Sequence, residues 1–153
     1  MGKVLGLSFI GALIFSVVIV INQWHISQDI TGWQQRAQVS SDPNDMLEYM
    51  QNVKSGMDKW GMTNGYAALF FTTPGNDMLL IHKAVERHIA LATELTTMDK
   101  STTQYQTGLD NLRGQIRELD IQAGYYWDVH AGLIYWLLAI VFWLVVVFSL
   151  AAY

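Results

Sequence analysis

Four histidines, His25, His82, His88 and His130, are the side chains of this chain best suited to acid–base chemistry near neutral pH or to metal binding. His25 follows one uncharged apolar run and His130 precedes another. A chain that folds back on itself would bring both to one membrane interface, where they are the pair placed to ligate a metal or a haem. Beside Trp24 and Trp127, they are explained more simply as interfacial side chains. Met78, His82 and Glu86 recur every fourth residue and share a helical face. Sulfur and imidazole suit copper, but a metal needs further ligands from elsewhere, and a solvated helix edge accounts for the same spacing. His88 falls on an apolar stripe and is expected to be a core histidine with a hydrogen-bond partner.

The remaining chemistry is sparse. There are no cysteines, which removes disulfides, thiolate zinc sites, iron–sulfur clusters and covalent haem attachment. No Glu-x-x-His pair of the di-iron type occurs, since Glu86-Arg87-His88 has the wrong spacing. Zincin, phosphate-loop, dinucleotide and nucleophile-elbow motifs are also absent. Met46, Met50 and Met57 fall on a helical seam as flexible apolar filling. No enzymatic activity and no cofactor are expected from this inventory.

Charge sets the larger plan. Charged residues make up 14% of the 153, against about 25% in ordinary globular chains. Val4–Ile21 and Ala131–Tyr153 carry none, and each is long enough to cross a hydrocarbon core of about 30 Å as a helix. Neither has the polar outer face that a buried helix of a small soluble protein needs. The first run begins after Lys3, and Ile21-Asn22-Gln23-Trp24 offers no small-x-small cleavage site, so it reads as an uncleaved signal anchor. Lys3 favours a cytoplasmic N-terminus. The expected arrangement is a two-pass protein of the cytoplasmic (inner) membrane with both termini inside and the intervening domain on the exoplasmic side. Its divisions are residues 1–23, 24–128 and 129–153. All acidic residues, and all basic ones except Lys3, lie between the runs and sum to a negative charge. That surface does not fit nucleic acid or anionic headgroups.

Between the runs, four apolar stripes with steps of three and four predict an all-α domain, a four-helix bundle. They are Ile26, Ile30, Trp33, Ala37; Met46, Met50, Val53, Met57, Trp60; Met78, Ile81, Val85, His88, Ala92, Leu95; and Tyr105, Leu109, Leu112, Ile116, Leu119, Ala123. Asp42-Pro43 and Thr73-Pro74 mark helix starts, and Ser101 to Gln104 fits a capping box. With no breaker at either junction, the first helix is expected to continue the first crossing and the fourth to run into the second. Gly61–Thr73 fits no helix; Tyr66 to Phe71 is read as a cap over the far end of the core or as an exposed contact for another subunit.

In the first crossing, Ser8, Ala12 and Ser16 form a line of small residues that lets helices approach. The second is bulky, with Tyr125, Tyr126 and Trp127 as an aromatic belt and Tyr153 marking the opposite interface. No ionisable side chain lies in either, which disfavours a pump or transporter. Two crossings flanking a four-helix exoplasmic domain resemble, in architecture, the ligand-sensing half of a bacterial chemoreceptor. The expected function is a non-catalytic accessory or scaffolding subunit of a larger membrane complex. Its partners would be other integral membrane subunits, or further copies of itself, within the lipid bilayer. Ser8, Ala12, Ser16, Tyr66, Leu69, Phe70 and Phe71 are the candidate interface. A ligand-binding or sensory bundle that acts through a partner is the alternative, and a metal or haem carrier using His25 and His130 is a third.

Overall fold

The computed structural model describes residues 2–152, with side chains from residue 4 onward. Tyr153, the expected interfacial marker, and the Lys3 side chain therefore lie outside the described residues. The described chain is all-helical, with no strand. Helix α1 (Gly2–Ile26) passes through a π-helical turn (Ser27–Thr31) into α2 (Gly32–Val39) without a break. Then follow α3 (Pro43–Lys59), α4 (Met78–Thr97), α5 (Thr103–Glu118), α6 (Ala123–Val129) and α7 (Leu133–Ala151). Two helical stretches, Val4–Val39 and Leu133–Ala151, are long and apolar enough to cross a membrane. The chain divides into two compact units, Ile26–Tyr126 and the pair Met1–His25 with Trp127–Tyr153.

In the Ile26–Tyr126 unit, α2 packs on α3, α3 on α4, α4 on α5, and α5 back on α2. Met46, Met50, Val53 and Met57 of α3 meet Val85, Ala92 and Leu95 of α4 and Leu112 and Ile116 of α5 in a core with almost no exposed surface. The stripe on α2 is shifted from expectation: Ile26, Ile30, Gln34 and Ala37 are buried, whereas Trp33 is only half-buried. The π turn adds a residue to one helical turn and rotates the helix beyond it, so the 3.6-residue register does not carry across. Trp33 stacks on Tyr49 at 5.8 Å and lies under the Arg36 guanidinium at 4.7 Å. The Gln34 amide donates to the Ile116 and Leu119 carbonyls, two groups at the end of α5 that would otherwise lack partners.

That end is a second difference. Helix α5 stops at Glu118 and does not run into α7; residues 119–122 are non-helical, with Gln122 in a left-handed conformation at φ 47°. Ala123, expected on the fourth stripe, belongs to α6. Two helix starts also move. Pro74–Asn76 forms a separate 3-10 turn closed by Thr73 and Asn76, and extended Asp77 caps α4, accepting from the Leu79 and Leu80 amides. The cap of α5 is Thr102, which accepts from the Tyr105 amide, while Ser101 turns back onto Asp99. Asp42 caps α3 as its Asp-Pro signature predicts.

In the other unit, Ser8, Ala12 and Ile19 of α1 and Ala139 and Val146 of α7 are buried. With Phe15 and with Tyr135 and Phe142 they form two seams of matching four-three-four spacing, and Phe15 stacks on Phe142 at 5.7 Å. A Cβ on Gly11 would come within 2.9 Å of the Phe142 ring. The small residues of α1 therefore make a notch for a bulky ring of the same chain.

Candidate functional site

The unit Ile26–Tyr126 has two dissimilar ends, and the residues of greatest functional interest sit at one of them. The chain enters at Ile26 and leaves at Tyr126, and several contacts gather the elements there. Asp29, in the π turn, accepts from Lys59 Nζ at 2.7 Å and from Trp60 Nε1 at 2.8 Å, fixing the end of α3 beside the entry point. A Cβ on Gly56 would collide with the Asp29 carbonyl, so glycine is what lets α3 press against that turn. Pro74, Gly75 and Leu80 share a groove with Glu118, Leu119 and Asp120, which places the start of α4 beside the end of α5.

The loop joining α3 to α4 is built at this same end. Gly61, at φ 70°, closes α3: its N–H reaches the Asp58 carbonyl, and the Met62 N–H reaches that of Met57. This is a Schellman arrangement with its apolar clasp, Met57 and Met62 both being fully buried. The Tyr126 hydroxyl lies 3.1 Å from the Gly61 carbonyl oxygen and 3.0 Å from that of Asn64, tying the loop to the exit point, and burial raises its pKa. The Met78 N–H donates to Gly65 and the Ala67 N–H to Asn76, while buried Ala67 anchors the base. Beyond it the Asn76 amide donates to the Phe71 carbonyl, and its oxygen accepts from Thr73 N.

The apolar segment singled out in the sequence is therefore held, but it caps no far end of the core. It stands at the entry and exit end, with Phe70 and Phe71 each 84% exposed and Tyr66 and Leu69 also exposed. From Gly61 to Asn76 there is no charged residue.

The histidines have separate surroundings. His82 is buried between α3 and α4, its Nε2 2.8 Å from Asp58 and its Nδ1 3.8 Å from Glu86. The two carboxylates meet different nitrogens of the ring and share the Lys54 ammonium, which sits 2.9 Å from Asp58 and 3.9 Å from Glu86. Met78 is in the core. The solvated-edge reading of this face is thus corrected to a polar cluster between two helices. Asp58 has a lowered pKa, chiefly through Lys54 and then His82. His88 is buried as expected, but its Nδ1 has no hydrogen-bond partner, and burial, reinforced by Arg87, lowers its pKa. His25 is exposed against Trp24, with ring centroids 5.0 Å apart, and His130 is exposed in the turn before α7. Among the described residues, no group of three or more His, Asp or Glu is placed to hold a metal.

Of the small-residue line, Ser8 and Ala12 are buried in their own unit, and Ser16 accepts a 3.3 Å bond from Trp143 Nε1. Ser16 also borders an open apolar groove with Leu13, Val17, Val20 and Ile21. One feature had no sequence signal: Asp128 accepts from both Gln23 and Trp136, linking α1, α6 and α7. Comparison with family models, curated proteins and solved structures gives no match.

Proposed function

We propose that this protein is a non-catalytic accessory or scaffolding subunit of a larger assembly in the cytoplasmic membrane. On this reading α1 and α7 cross the bilayer, and α2 to α5 form a four-helix bundle on the exoplasmic side. The observation that carries the reading is the open apolar groove on α1, bordered by Leu13, Ser16, Val17, Val20 and Ile21. Lipid supplies no hydrophobic drive between helices, so association depends on shape, and a small residue beside a row of exposed branched ones makes a notch. Gly11 receives Phe142 within the chain in that way. The Ser16 groove fits a bulky side chain from a partner's transmembrane helix, while Ser8 and Ala12, and the Ser16 hydroxyl through Trp143, act within the chain.

Affinity purification from mildly solubilised membranes tests the reading. Partner subunits should co-elute with the wild type. Val17→Trp and Val20→Trp, which fill the groove yet suit lipid, should reduce their recovery several-fold at unchanged insertion. Wild type eluting alone would overturn the accessory role. For topology, Asp99→Cys should react with a membrane-impermeant thiol reagent in intact cells.

A sensory, ligand-binding bundle is the second reading, favoured by the unbroken helical path from Gly2 to Val39. Within the bundle, α2 packs on both α3 and α5. A homo-oligomer without other subunits would support it.

A further inference from the structure

We propose that Leu69, Phe70 and Phe71 insert into the interfacial layer of the lipid bilayer, so that the bundle is held at the membrane by a third point besides its two crossings. This inference rests on the reading that α1 and α7 cross a membrane. Four independent features carry it. The loop stands at the end of its unit where the chain enters and leaves, shown by the Asp29–Lys59 and Tyr126–Gly61 contacts. If the chain passes to the bilayer at Ile26 and Tyr126, the tip is held close to lipid by covalent tether and meets it at high effective concentration.

The tip is also presented, since hydrogen bonds from Asn76, the Tyr66–Asp77 bridge and buried Ala67 fix its base while both phenyl rings remain 84% exposed. Large aromatic side chains held out in this way leave a large apolar area in water unless another phase covers it. The chemistry of the loop matches an uncharged interface. Between Lys59 and Asp77 it has no charge, with Thr, Asn and Tyr around the apolar tip, the mixture found where headgroups meet acyl chains. Finally, exposed Tyr125 lines one shallow groove with Leu69, Phe70 and Phe71 and extends the aromatic surface of the tip. Without Lys or Arg in the loop, attraction to anionic lipid is not its basis, and zwitterionic lipid should suffice.

The absence of cysteine makes the test clean. Single-cysteine versions of the full chain, Phe70→Cys, Asp99→Cys and Val17→Cys, are labelled with an environment-sensitive dye and reconstituted into phosphatidylcholine vesicles. Some of the lipids carry spin labels at shallow or deep positions. The Phe70 probe should be quenched by shallow labels several times more than the Asp99 probe at the opposite end, and the Val17 probe by deep labels. Val17 quenched with Phe70 no different from Asp99 overturns the insertion while leaving the crossings intact. A silent Val17 probe overturns both. A Phe70 probe unquenched in vesicles but shielded in native membranes overturns lipid insertion in favour of a protein contact at the same tip.

Discussion

The two ends of the Ile26–Tyr126 unit solve the same problem, connecting antiparallel helices, in opposite ways. At the end away from entry and exit, the connections are short and polar. Asp42, Asp99 and Thr102 cap or turn the chain, Lys100 reaches Asp42 at 3.5 Å, and Arg113 Nε donates to the Ser40 carbonyl at 2.7 Å. The other end uses a long uncharged loop, with its own clasp and hydrogen bonds, to hold two phenyl rings outward. Short polar connectors suit water, and a long apolar one is uncommon unless something covers it. On the membrane-insertion proposal, the polar end faces water and the apolar loop faces lipid.

Breaking the shared core should erase the comparison altogether. Leu112 is fully buried on α5, and Leu112→Asp places an unpaired charge among apolar side chains, at an expected cost of several kcal/mol. Probes at Phe70 and at Asp99 should then lose structure in one transition at a much lower temperature. Separate transitions would mean that the ends do not share a core.

Gly56→Ala should act next most strongly and from the entry end. Its methyl group meets the Asp29 carbonyl and Ile30, a packing conflict of about 1–3 kcal/mol that outweighs the gain in helix propensity. Asp42→Ala, removing a cap at the opposite end, should cost about 1 kcal/mol. Thermal melts rank the two; a stabilised Gly56→Ala would show that α3 and the π turn have room to part.

A smaller effect is graded by pH. Burial lowers the His88 pKa below its ordinary 6.5, with Arg87 adding to the shift. The folded state therefore binds fewer protons than the unfolded state. Its contribution is complete above the unfolded value and is lost as pH falls from about 6.5 through the lowered folded value, with a slope of at most about 1.4 kcal/mol per unit. His88→Leu should flatten the unfolding free energy over that range, and an unchanged slope would assign the dependence elsewhere.

The smallest expected effect is the sharpest for the comparison. Phe70→Ser with Phe71→Ser should leave the melting of detergent-solubilised protein within about 0.5 kcal/mol of wild type, because the rings hold almost nothing inside. A larger loss would return the loop to a structural role.

Signals carried by neighbours in the chain are legible in the amino-acid sequence itself. The uncharged runs stand out because length and apolar composition, which make a helix able to cross a membrane, are read directly from consecutive residues. The stripes on α3, α4 and most of α5 survive because regular helices keep their period. Asp42-Pro43 marks a start because the cap and the fixed proline φ are local chemistry. Tertiary contacts decided the rest. A π turn exchanges Trp33 for Gln34 in the core, and Gln34 then satisfies the end of α5, where neither proline nor glycine announces a stop. Ser8 and Ala12 advertise a helix contact, but only packing showed that α7 of the same chain supplies the opposing seam. The apolar run from Tyr66 to Phe71 was visible as composition. Its position beside the entry and exit of the chain depends on Asp29 meeting α3 and Tyr126 meeting Gly61, contacts between residues about 30 and 65 positions apart that no local pattern encodes.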